Sequence, residues 1–216
     1  MRTLYHFAVS PFSRRTRLAL AHKGLEVELK DARATPAYMD EVRALNPLRT
    51  APVLVDEGGR ALADSGVITH YLDGAYPALP ALWPSEPSAR HAALAIAQLV
   101  DGALETLVDV GTHYYALHGD AAWKKVTQEM VGRAQGALNA LGDRVATIGP
   151  RVLTDAGWCA ADMWLYTAVA WLEGLPARAS ANTNAAQIVS LAWSVPASLS
   201  RWAEAHRLRA DVRALD

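Results

Sequence analysis

The first third of the chain interleaves short strand-like runs with amphipathic ones. Thr3–Phe7 reads as a strand, and Pro11–Lys23 as a helix with proline in its first turn and Gly24 at its end. Val27–Lys30 alternates apolar and polar residues as a half-buried strand does. Thr35-Pro36 starts a short helix to about Leu45, and Pro52–Val55 is an apolar strand. The turn Asp56-Glu57-Gly58-Gly59 returns the chain through Arg60–Ala63, and Ser65 caps a helix to about Ala75. The order β-α-β-α-β-β-α predicts a small mixed sheet with helices packed on it.

Pro77, Pro80, Pro84 and Pro87 crowd the next stretch, where neither a helix nor a central strand continues easily. Beyond it the period is helical. Ser88–Leu117 carries Leu94, Leu99, Leu104, Leu107 and Val108 on a predicted apolar face, Gly119-Asp120 breaks it, and Ala121–Val145 follows as its antiparallel partner. Ala161–Leu172 is apolar nearly all round, which predicts a central helix. Asn184–Trp193 and Pro196–His206 are shorter helices. The expected division is an α/β domain over residues 1–77, a linker over 78–87 and an all-helical domain over 88–216.

Composition narrows the class. The chain has 216 residues, 51% of them hydrophobic, enough for a full core. A net charge of -1 gives no global attraction to nucleic acid or to an acidic membrane. Arg14, Arg15, Arg17 and Lys23 gather on the first helix, as expected for a solvated face. Cys159 is the single cysteine, so no internal disulfide forms and a reducing, cytoplasmic compartment fits. No apolar run long enough for a signal peptide or membrane span leads the sequence. There is no His-Glu-x-x-His metal motif and no Gly-Lys-Ser/Thr phosphate loop.

Some short stretches offer chemistry. Ser10 stands where a strand meets a helix, and orphan N–H groups and the helix dipole there suit an anion such as a thiolate. A helix cap explains the same serine without a ligand. Ala51-Pro52 heads a strand. If its bond is cis, the backbone before it turns outward to pair with an extended peptide; a trans proline would be ordinary. In Asp64-Ser65-Gly66, the helix start at Ser65 suits a carboxylate and Asp64 an ammonium, although a capping serine with an acidic neighbour looks the same.

In this order the features resemble the glutathione transferase superfamily, and its serine-using bacterial-like members in particular. The resemblance rests on Ser10-Pro11-Phe12-Ser13-Arg14-Arg15, on Asn46-Pro47 through Pro52-Val53-Leu54, and on Asp64-Ser65 with Ile68 and Tyr71-Leu72. It extends over the proline-rich linker and the helical second part. It implies a thioredoxin-like N-terminal domain followed by an all-helical C-terminal domain, with glutathione as co-substrate at the edge of the first. It implies that the Ser10 hydroxyl, or that of Ser13, stabilises the glutathione thiolate. Pro52 would be cis, with the Ala51 backbone holding the cysteinyl part and Asp64 and Ser65 the γ-glutamyl end. Phe12 and Arg49 would complete the glutathione site. His113, Tyr114 and Tyr115, late in the first long helix, would wall a pocket for a small hydrophobic electrophile. Asp101 would lie on the helix of a homodimer interface. No metal, nucleic acid or membrane enters this reading.

Some features depart from the family pattern. No cysteine stands near Ser10, which argues against disulfide exchange through an enzyme thiol. Arg49-Thr50 replaces the common Gly-Lys, with Arg49 the available substitute for the lysine. Cys159-Ala160-Ala161-Asp162 replaces a Ser/Thr-led cap at the central helix. A glutathione-dependent isomerase, dehalogenase or etherase, or a non-catalytic binding protein, shares the same fold, because function lies in the second pocket.

Overall fold

The computed structural model describes residues 1–114, 117 and 120–215. Strands β1 (Thr3–His6), β2 (Glu28–Asp31), β3 (Val53–Val55) and β4 (Ala61–Ala63) form one sheet in the order β2-β1-β3-β4. β1 runs parallel to β2 and antiparallel to β3, and β3 pairs antiparallel with β4. Alternation splits the sheet between two layers. Leu4 and its partner Leu54 face the main core, and Tyr5 and its partner Val53 face a smaller cluster with Ala32 and Val42.

Helices α1 (Pro11–Lys23), α2 (Pro36–Leu45) and α3 (Ser65–Ala75) surround the sheet. Each begins on a side-chain cap: Ser10 accepts from the Ser13 N–H, Thr35 from Tyr38 and Asp64 from Val67. Asp64, and not Ser65, therefore caps α3; Ser65 is its first helical residue. α1 ends at Gly24, whose φ of 67° suits glycine and lets its N–H reach the Ala21 and Leu20 carbonyls.

The second half comprises α4 (Pro87–Thr112), α5 (Ala121–Ile148), α6 (Ala160–Glu173), α7 (Leu175–Arg178), α8 (Thr183–Val189), α9 (Ala197–His206) and α10 (Ala210–Arg213). α4 packs on α5, α6 and α8, and α1 packs on α6. α6 is the central helix, buried from Ala160 through Val169. Its Asp162 accepts N–H bonds from Leu153 and Cys159 at 2.8 and 3.0 Å, which compensates for the weak sulfur cap. Burial pushes the Cys159 thiol up to about 11, so it stays protonated. No helix among the described residues is long and apolar enough to cross a membrane.

Some expectations change. α4 ends at Thr112, so His113 and Tyr114 follow the helix and do not lie on it. Its buried stripe runs through Ala93, Ile96, Ala97, Val100, Ala103, Leu104 and Leu107, while Leu94 and Leu99 are exposed. The period alone does not distinguish a stripe of small residues from the leucines beside it. The short helices α7 and α10 fall below the length at which periodicity shows. The basic cluster of α1 is no solvated face: Arg15 and Lys23 are buried. Lys23 Nζ pairs with Asp73 at 2.9 Å and donates to the Pro80 carbonyl at 3.0 Å. Asp73 in turn accepts from the Leu82 and Trp83 N–H groups, each at 2.8 Å, so the proline-rich stretch is pinned to α1 and α3.

Candidate functional site

A cavity of about 940 Å³ opens between the sheet half and the helical half. Ser10, Phe12, Arg49, Ala51, Pro52, Asp64 and Ser65 all line it, so the structure brings together these distant stretches of sequence. Ser10 belongs to the turn that joins β1 to α1, where its N–H bonds the Phe7 carbonyl at 3.0 Å. Its Oγ accepts the Ser13 N–H at 3.3 Å as the helix cap. Accepting that bond leaves the hydroxyl proton able to donate into the cavity. Ser13 is fully buried, and its Oγ accepts the Phe7 N–H at 3.2 Å. Ser13 does not line the cavity.

The Ala51-Pro52 bond is cis. The loop before it is held by Asn46, a buried side chain whose Nδ2 donates to the Thr50 carbonyl at 2.9 Å and whose Oδ1 accepts from Leu48 at 3.0 Å. Arg49 sits in this loop at φ 57°, exposed at the cavity edge. Asp64 adopts φ 76°, a conformation that costs a non-glycine residue about 1–3 kcal/mol. Its Oδ1 accepts the Val67 N–H at 3.0 Å.

Behind this wall lies a buried cation. Arg15 is 2% exposed; its Nε donates to Ser65 Oγ at 2.8 Å and its Nη1 pairs with Asp101 of α4. The guanidinium stacks 4.1 Å from the Trp164 ring and 4.8 Å from Phe12. Asp101 also accepts from Trp164 Nε1 at 3.2 Å. Burial lowers the Arg15 pKa, and Asp101 opposes that shift. The network thus fixes Ser65 and Phe12 from behind.

The helical side of the cavity is formed by Glu105, Val108, Asp109, Thr112 and His113 of α4 and its end, with Trp171, Leu175, Arg178, Asn182, Asn184 and Ile188. Trp171 Nε1 donates to the Val9 carbonyl at 2.8 Å, which ties α6 to the turn before Ser10. Burial raises the Glu105 pKa, and neighbouring Asp101 adds to the shift. Of the aromatic triplet, His113 reaches the rim. Tyr114 instead stacks on Trp123 at 5.9 Å, and Tyr115 lies outside the described residues. Sequence reasoning missed Asn46, Glu105, Trp171 and Arg178. The Asn46-Pro47 pair was the one local signal for Asn46; the others arrive by packing.

The profile of the family described as "Glutathione S-transferase, N-terminal domain" matches residues 4–82. The chain is 38% identical to a probable glutathione S-transferase GSTU1 of Oryza sativa subsp. japonica, over 54% of this chain and 52% of that one. It therefore spans about half the length of that relative. It is 31% identical to a maleylacetoacetate isomerase of Pseudomonas aeruginosa, over 74% of this chain and 73% of the relative. A crystal structure of a glutathione S-transferase from Methylobacillus flagellatus with GSH bound superposes with a TM-score of 0.76 at 23% identity, covering 100% of this chain and 98% of that one. By these matches and by its sheet-plus-helices architecture, the chain belongs to the glutathione transferase superfamily and has the superfamily's fold.

Proposed function

We propose that the chain is a glutathione transferase that joins the glutathione thiolate to small hydrophobic electrophiles, with Ser10 as the residue that stabilises the thiolate. The observation that carries this reading is the convergence of Ser10, the cis Ala51-Pro52 backbone and the Asp64-Ser65 helix start on one cavity. Ser10 lines the cavity, accepts a helix N–H and keeps its proton for the sulfur, whereas Ser13 is fully buried and does not line the cavity. A hydroxyl donor at a helix N-terminus lowers a thiol pKa, because both favour the anion. The acidic pair Asp64 and Glu105 suits the γ-glutamyl ammonium, and Arg49 and Arg33 suit the glycyl carboxylate. Phe12, Ala51 and Ser65 would pack and pair with the tripeptide between them. Thiolate and electrophile held side by side gain rate from proximity and thiolate population.

In this reading residues 1–77 form the glutathione-binding domain, 78–87 the linker and 88–216 the domain that supplies the electrophile pocket. The protein works in the cytoplasm as a homodimer, for which the exposed Leu94 and Leu99 of α4 are the supporting surface. The names of the relatives favour a second reading, a glutathione-dependent isomerase, in which glutathione adds and leaves again.

The test is conjugation of glutathione to 1-chloro-2,4-dinitrobenzene. Ser10→Ala is expected to lower kcat/KM by roughly 10–100-fold, the worth of a hydrogen bond to a charged group. An unchanged rate removes Ser10 from the chemistry. Absence of calorimetric glutathione binding at millimolar ligand sinks the enzyme reading altogether.

A further inference from the structure

Arg178 ends α7 beside the helical wall of the cavity. Its Nη2 donates to the Trp171 carbonyl at 2.8 Å, near the C-terminal end of α6, where a cation is favoured. The guanidinium lies against Gly174; a Cβ at that position would stand 2.7 Å from Nη1, so the glycine leaves the room it occupies. No carboxylate among the described residues pairs with Arg178. Arg178 is half-buried, and burial lowers its pKa, with the charge of Arg14 adding to the shift. Asn182 stands close by on the same wall. Its Oδ1 is used as the α8 cap, accepting the Ala185 N–H at 3.0 Å, while its amide hydrogens have no acceptor among the described residues. Apolar surface from Trp171, Leu175 and Ile188 adjoins both, and the acids Glu105 and Asp109 lie on the α4 wall.

We propose that Arg178, assisted by Asn182, is a carboxylate subsite in the electrophile half of the cavity, so that this chain prefers electrophiles carrying a carboxylate remote from the reacting carbon. The inference rests on the glutathione reading above. A carboxylate accepts planar, paired N–H bonds from a guanidinium, and Arg178 has no carboxylate partner among the described residues. Asp109 repels an anion from the α4 wall, which orients such a substrate with its charged end toward α7. The apolar residues between hold its body.

The test compares S-(4-carboxybenzyl)glutathione with S-benzylglutathione by titration calorimetry on the full chain. The wild type is expected to bind the carboxylate form about tenfold more tightly, the worth of one charge-assisted bond. In Arg178→Met this preference falls to about one. Arg178→Lys and Asn182→Ala each retain part of it, since each keeps some of the donors, and they serve as the readout if Arg178→Met does not fold. A wild-type preference near one, or a preference that survives in Arg178→Met, overturns the proposal. Failure of S-benzylglutathione itself to bind the wild type shows that the glutathione reading is wrong, and the subsite falls with it.

Discussion

Arg15 of α1 and Asp101 of α4 form an ion pair across the junction of the two halves, with the arginine side chain 2% exposed. Such a pair is costly to break: losing Asp101 leaves the buried Arg15 charge without its counterion, and losing Arg15 leaves Asp101 unpaired and removes the guanidinium packed against Trp164 and Phe12. Arg15→Met is expected to destabilise the protein by about 3–5 kcal/mol in urea unfolding. Asp101→Asn should cost a similar amount, and the double variant less than the sum. Strict additivity of the single changes would show that the pair is not coupled.

Ser13 separates structure from chemistry. Its hydroxyl satisfies the buried Phe7 N–H, so Ser13→Ala should lower stability by about 1–3 kcal/mol. It should leave the pH at which bound glutathione ionises close to that of the wild type. Ser10→Ala should move that pH upward, followed by thiolate absorbance near 240 nm. The opposite pattern would exchange the roles of the serines.

Tyr71 and Asp56 share a hydrogen bond that ties α3 to the β3–β4 turn, and Tyr76 donates to the same carboxylate at 3.1 Å. The Tyr71 bond holds Asp56 below its ordinary carboxylate range, with burial opposing it. The same bond, together with burial, pushes Tyr71 up to about 12. A depressed carboxylate contributes stability above its unfolded pKa, near 4, and loses it as pH falls through the folded value. A raised phenol contributes stability below its unfolded pKa, near 10, and loses it as pH rises toward about 12. Tyr71→Phe should therefore trail the wild type between about pH 5 and pH 10, with the gap closing at both ends. Urea unfolding across pH checks this; a gap independent of pH would refute it.

Gly111 lets α4 approach α8. A Cβ there would collide with Ile188 Cγ1 and stand 3.2 Å from the Ile188 Cα. Gly111→Ala must push Ile188, a cavity-lining residue, outward. The expected cost is about 1–3 kcal/mol of stability despite the better helix propensity of alanine. The accompanying change should be a raised KM for the electrophile, with glutathione affinity held. A stabilised variant would mean that α8 shifts freely.

Local sequence was sufficient where a signal is short-range. Ser10-Pro11 and Gly24 mark both ends of α1, because a cap, a proline and a left-handed glycine act within one turn. The strand order along the chain and the hairpin at Asp56–Gly59 were legible for the same reason. The Ser10, Pro52 and Asp64-Ser65 stretches, picked out by motif resemblance, line the same cavity. What the sequence left undecided depends on groups brought together from far apart. A basic helix face looked solvated until α4 supplied Asp101 to Arg15 and α3 supplied Asp73 to Lys23. The choice between Ser10 and Ser13 turns on which hydroxyl the β1–α1 turn buries. The helical wall of the cavity is assembled from α4, α6, α7 and α8, whose Glu105, Trp171 and Arg178 carry no local signal of meeting. Side chains on one element set its period and its ends, but burial and charge partners come from the elements packed against it. For this protein, the sequence determined the elements and the motifs of the family, and tertiary packing decided which charges are buried and which side chains from distant elements face the cavity.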